Sequence, residues 1–217
     1  MFGKLLVASG ALVSLSLALA APTKRSSQLS CVRFQYGGPF TSFGADGLIH
    51  LYSNVTYWDA STQTTSYNAT RLGVVDGKIQ PCGDCRTTEL YGFDVCQGPD
   101  GKGLSGLGNS PSEFYGHLIY SNLGVTSCLG AAHSAGNLTG VDLVQQPCEY
   151  DYDVVATNGQ YWSMTVGSEG TYQAKLIIAP EGQRDVYGPS LDGTELYEPP
   201  TGAGQPWTYY GFEAPSF

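Results

Sequence analysis

Apolar positions in this 217-residue chain come in short runs, not long stripes. Leu48–Tyr52, Leu72–Val75, His117–Tyr120, Val141–Val144, Tyr161–Val166, Leu176–Ala179 and Trp207–Phe212 are rich in β-branched and aromatic side chains. Gly, Pro, Asn or Asp separates them. No helix-length stretch carries apolar residues recurring at three and four. Many short strands at turn-length spacing predict an all-β sandwich or barrel. One segment differs. Leu5–Leu19 is apolar, broken only by small residues, with Lys4 before it and Ala18-Leu19-Ala20-Ala21 at its end. That layout predicts a secretory signal peptide over residues 1–21, the run being shorter than the ~20 residues of a membrane span. Lys24-Arg25 reads as a dibasic processing site, which makes residues 22–25 a short propeptide and residues 26–217 a single domain.

Charge narrows the partners. With Lys4, Lys24 and Arg25 gone, seven basic side chains stand against 19 acidic ones, a formal charge of −12. A basic footprint for nucleic acid is missing, and anionic membrane surfaces repel such a chain. Six cysteines (Cys31, Cys82, Cys85, Cys96, Cys128 and Cys148) lie beyond the leader. Export makes disulfides their expected state. Three sequons, Asn54-Val-Thr56, Asn68-Ala-Thr70 and Asn137-Leu-Thr139, predict glycosylation at Asn54, Asn68 and Asn137.

A threefold echo runs through the chain. Glu89-Leu90-Tyr91, Asp142-Leu143-Val144 and Glu195-Leu196-Tyr197 share an acid–Leu–apolar pattern, their leucines 53 residues apart each time. Each copy is followed by an aromatic segment: Glu113-Phe114-Tyr115, Gln160-Tyr161-Trp162 and Gln205-Pro206-Trp207. The gaps from Leu to the final aromatic are 25, 19 and 11 residues, so the connecting loops differ. The order of one acid–Leu strand and one aromatic strand, three times, predicts three equivalent units with Leu90, Leu143 and Leu196 on matching strands.

Cys128-Leu129, Val141-Asp142-Leu143, Cys148 and Gln160-Tyr161-Trp162 together resemble one repeat of the ricin-B-like β-trefoil lectins. Residues 124–167 match well, 171–212 fairly and 72–120 poorly; residues 26–71 have no counterpart. The resemblance implies a β-trefoil with inserted loops. It implies a Cys128–Cys148 bridge and, by analogy, a bond from Cys96 to Cys82 or Cys85, leaving the other for Cys31. Strand alternation puts Gln160 and Trp162, and likewise Gln205 and Trp207, on one side. There the Trp fills the barrel and the Gln amide ties a loop. These four residues and the three leucines form the expected core.

An active repeat of that family carries an Asp after Cys-Leu, an aromatic platform on the next strand and an Asn before Gln-x-Trp. Here Gly130 stands at the Asp position and Val144 at the platform, and Gly159 separates Asn158 from Gln160. Tyr91 and Tyr197 retain a ring in the first and third copies, and Asp94 and Asp192 are candidate carboxylates. These four residues are the expected sugar contacts.

Other motifs carry less. Ala132-His133-Ser134-Ala135-Gly136 has the spacing of a nucleophile elbow, but a sequon turn follows it and no His lies downstream of Ser134. Glu149-Tyr-Asp151-Tyr-Asp153 lacks the Gly and distal Glu of a calcium loop. Cys82-Gly-Asp-Cys85 has no second Cys-x-x-Cys for zinc. No catalytic, metal-binding or cofactor residue is assigned. The expectation is a secreted, non-catalytic module that binds glycans or glycoproteins, neither touching nucleic acid nor inserting into a membrane. The alternative is a secreted interaction protein such as a protease inhibitor.

Overall fold

β-branched and aromatic runs punctuated by turn residues fold into strands. The computed structural model describes residues 28–36, 43–44, 48–55, 68–82, 89–101, 109–110, 112–122, 125–133, 137–155, 157–166, 172–178, 185–190, 192–198 and 207–213. An N-terminal arm forms β1 (Ser30–Arg33), and β2 (Gln35–Tyr36) pairs with β3 (Phe43–Gly44). Then come β4 (Leu48–Val55), β5 (Asn68–Val75), β6 (Lys78–Pro81) and β7 (Glu89–Gln97). Next are β8 (Glu113–Asn122), β9 (Val125–Ala131), β10 (Leu143–Gln146), a helical turn α1 (Tyr152–Val155) and β11 (Tyr161–Val166). The last are β12 (Tyr172–Ile178), β13 (Asp185–Pro189), β14 (Leu196–Tyr197) and β15 (Trp207–Glu213). The chain is all-β, and every ladder among the described residues is antiparallel.

The pairings repeat along the chain. Strands β4, β5 and β6 form a meander, as do β8, β9 and β10, and again β12, β13 and β14. The strand after each meander pairs with the start of another: β7 with β8, β11 with β12, and β15 with β4. Because β11 also pairs with β8, β15 with β12 and β10 with β6, the ladder closes on itself. Closure removes edges that would otherwise stay open. At the matching registers, Phe93 faces Leu118, Trp162 faces Leu176 and Tyr210 faces Leu51. All six are buried in the main core.

This register corrects two expectations. Leu143 and Leu196 lie on the third strands of their meanders and are buried, but Leu90 lies on β7 and is 36% exposed. Alternation explains it: Tyr91 and Phe93 point inward, so Leu90 points outward. Ile79 on β6, 1% exposed, takes the place expected for Leu90. Residues 48–55 and 68–71, which lacked a counterpart in sequence, supply β4 and open β5. Tyr210 takes the register expected for Trp207. Trp207 opens β15 ahead of a shift in register before Tyr209. Its side chain, and all of Gln205, lie outside the described residues.

The hairpin β5–β6 turns at Asp76 and Gly77, whose φ values of 52° and 78° are the pair of left-handed residues that a two-residue hairpin favours. A smaller core of Leu29, Cys96, Tyr115, Val155, Tyr161 and Ile177 lies beneath the arm. Strand β1 runs along β7 with Cys31 directly opposite Cys96, and the two are bonded. This corrects the expected Cys96 bond to Cys82 or Cys85. Cys82 is itself disulfide-bonded, and Cys85 lies outside the described residues. Cys128 bonds Cys148, closing a separation of 20 residues. Such a loop contributes about 3 kcal/mol by restricting the unfolded chain. Two disulfides fit an oxidising, extracellular environment.

Candidate functional site

The second meander shows what the Gln-x-Trp segment does. Trp162 Nε1 donates to the Leu129 carbonyl at 2.8 Å, tying β11 to β9. The Gln160 side chain clamps the loop around Cys148: its Oε1 accepts from Glu149 N at 2.8 Å and its Nε2 donates to Pro147 O at 3.0 Å. Asn158 Oδ1 accepts from Gln160 N at 3.1 Å, so that amide closes a turn. Opposite Val144 stands Gly130. A Cβ there would lie 2.4 Å from Gln146 Nε2, 2.6 Å from Gly159 O and 2.9 Å from Gln160 Cγ. The second meander therefore has neither a ring at the platform nor room for a side chain beside it.

The same register places Gly73 opposite Gln80 in the first meander and Gly188 opposite Tyr197 in the third. All three units have a buried glycine at this position. Only the third sets a ring across from it. Tyr197 is 42% exposed, and Glu198 beside it is exposed too. Asp185 and Glu198 lie close enough to help raise the pKa of the Tyr187 phenol, after burial, the largest cause. Those carboxylates surround Tyr187, whereas Tyr197 offers the exposed ring, the flat apolar surface on which a pyranose can stack.

The four expected sugar contacts separate. Tyr91 is 1% exposed and packs against Tyr120 with centroids 5.4 Å apart, so it is a core residue and no platform. Asp94, three residues on, points to the opposite face of β7. It accepts from Arg33 Nε at 2.5 Å and helps hold the arm. Asp192 shares the β13–β14 hairpin with Tyr197, but its Oδ1 closes the turn. It accepts from Ser190 Oγ at 2.6 Å, Thr194 Oγ1 at 3.0 Å and Thr194 N at 3.2 Å. The Ser190 hydroxyl, then the Thr194 amide and hydroxyl, hold its carboxyl below the usual range.

Glu149 and Asp151 also serve the backbone, accepting from Asp151 N at 2.8 Å and Asp153 N at 3.0 Å. Asn68 and Asn137 are exposed, and Asn137 Oδ1 accepts from Thr139 N at 2.8 Å. The side chain of Asn54, on β4, and all of Ser134 lie outside the described residues.

Sequence reasoning missed a polar cluster under the arm. His117, on β8 directly opposite Asp94, is fully buried. Its ring meets Tyr150 and Tyr161 edge-on at 5.3 and 6.2 Å. The signal available in sequence was a lone His in the apolar run Gly116-His117-Leu118-Ile119. Burial lowers its pKa from the usual 6.5, against smaller opposing effects of the Gln160 carbonyl, Asp94 and Glu149. The sign follows. The unfolded chain takes a proton near the ordinary value, whereas the folded chain takes it only at lower pH. Stability is therefore full above that value and lost as pH falls below it. Urea denaturation from about pH 7 to about pH 5 should show a decline of up to about 1.4 kcal/mol per pH unit. His117→Gln should flatten that decline; equal slopes in both proteins would assign it elsewhere.

No family model, curated protein or solved structure matches the chain.

Proposed function

We propose that this chain is a secreted β-trefoil of the ricin-B-like kind, working outside the cell as a non-catalytic glycan-binding module. The leader-like N-terminus and the disulfides support export. Three successive meanders, each followed by a strand that pairs with another unit, support the trefoil. So does the Gln160 and Trp162 clamp on the Cys128–Cys148 loop.

One observation carries the ligand reading: Tyr197 is exposed across from Gly188, at the position where such lectins place their stacking ring. Binding centres on the third unit, because the first places Gln80 there and the second Val144. A single ring with few fixed carboxylates makes recognition weak and confined to a narrow set of glycans.

A glycan array with the mature protein supplies the ligand, and titration of that glycan tests the site. Tyr197→Ala should weaken binding about tenfold, equivalent to about 1.4 kcal/mol. Its melting temperature should stay near the parent's, since an exposed side chain contributes little to stability. Tyr197→Phe, which keeps the ring, should retain most of the affinity. Unchanged binding by Tyr197→Ala, or an array without a single glycan hit, would overturn the reading.

A further inference from the structure

The buried imidazole of His117 has an unfinished bonding pattern. Its Nδ1 lies 3.0 Å from the Gln160 carbonyl oxygen. A carbonyl only accepts, so Nδ1 carries the proton and Nε2 presents a bare lone pair. That Nε2 is buried with no hydrogen-bond partner among the described residues. Buried acceptors of this kind are rare and call for a reason. A ring nitrogen of His117 and the sulfurs of Cys31 and Cys96 all lie within 4.8 Å of one another.

We propose that Cys31, Cys96 and His117 form a redox-gated site for a thiophilic divalent ion such as Zn(II), closed as the disulfide and opened by a dithiol. The reductant's two thiols become its own disulfide, and Cys31 and Cys96 take up the two hydrogens as free thiols. The ion then binds both sulfurs and the imidazole, releasing the two thiol protons. Two thiolates cancel the charge of a divalent cation, so the site suits a buried position.

The geometry agrees. Zinc–sulfur bonds of about 2.3 Å and zinc–nitrogen bonds of about 2.0–2.1 Å place tetrahedral donors roughly 3.6–3.8 Å apart. Opening the disulfide lets the sulfurs part to that spacing within the existing cluster. A backbone carbonyl on the other ring nitrogen is the usual device that orients a metal-binding His. Cys96 and His117 are buried, while Cys31, on the outermost strand, is only half-buried and gives reductant and ion a way in. A bound ion would also restore the link between arm and β7 that reduction removes.

Co(II) reports the site directly. The full chain is reduced with a dithiol, freed of excess reagent without air, and titrated with Co(II). One equivalent should bind, with the visible bands of tetrahedral cobalt and a thiolate charge-transfer band. His117→Gln keeps all six thiols and a polar side chain, and should lose at least about tenfold in affinity. Cys31→Ser, a milder change on the outermost strand, should lose as much, which covers a failure of His117→Gln to fold. The Cys128→Ser/Cys148→Ser double variant should keep the spectrum. Absence of tetrahedral bands in the reduced parent would overturn the proposal. So would equal binding by the oxidised protein, or undiminished affinity in a folded His117→Gln or Cys31→Ser variant.

Discussion

Trp162→Ala is expected to lower the free energy of unfolding by about 3–5 kcal/mol, the range for emptying the volume of a buried aromatic side chain. The ring has no exposed surface, and it meets Tyr210 edge-on with centroids 5.9 Å apart. Its backbone partners are Leu176 on one side and Gly116 on the other, so the cavity would open between two ladders that cannot easily close in. The substitution also strands the Leu129 carbonyl, which accepts the indole N–H, at a further cost of about 1–3 kcal/mol if no water replaces it. Trp162→Phe separates the two effects. It keeps most of the volume and copies Phe93 at the matching register of β7, so it should cost about 1–2 kcal/mol, mostly for the lost bond. Urea denaturation checks both, with an unchanged slope showing that the unfolded state is not altered. A loss below about 1 kcal/mol for Trp162→Ala would mean that the ring does not fill the barrel.

How much of this was legible in the sequence depends on the size and locality of each signal. Tyr161–Val166 reads as a strand and is β11, and Leu48–Tyr52 falls inside β4. Trp162 is legible because no other position in that unit holds so large a ring. Leu90 is not, because the three-residue match Glu89-Leu90-Tyr91 has no phase. The longer alternation Tyr91, Phe93, Val95 carries the phase and turns Leu90 outward. The same alternation buries Tyr91 and puts Asp94 on the other face, so the two cannot share a ligand. Tyr197 is legible as an exposed ring because its hairpin is local. The Arg33–Asp94 pair joins residues 61 apart and the Cys31–Cys96 bond residues 65 apart, and no short-range pattern announces either. Asp192 is a turn residue for the ordinary reason: a short carboxylate that accepts from its own backbone two residues on.

The glycine opposite the platform position gives the second large effect. Under the proposed lectin reading, Gly130→Asp would supply the second unit with a carboxylate for a sugar. It should instead destabilise the protein by about 3–5 kcal/mol or prevent folding, the range for leaving a charge buried and unpaired. Gly130 is buried on β9, directly opposite Val144 of β10. Its Cβ would sit 2.6 Å from the Gly159 carbonyl oxygen, a backbone atom that cannot turn aside as a side chain can. That strand position is pinned, since Ala131 N donates to the same carbonyl at 2.9 Å. The carboxylate would face that oxygen and the Gln160 side chain, whose amide is already committed to Glu149 and Pro147. Gly130→Ala isolates the steric part and should cost about 1–3 kcal/mol, the range for overpacking. The second unit thus packs Gly130 tightly against the Gln160 clamp, and a carboxylate does not fit there. Denaturation of both variants beside the parent measures it. A folded Gly130→Asp protein of parental stability would show that the pocket behind β9 is open, and would return the second unit to the set of candidate sugar sites.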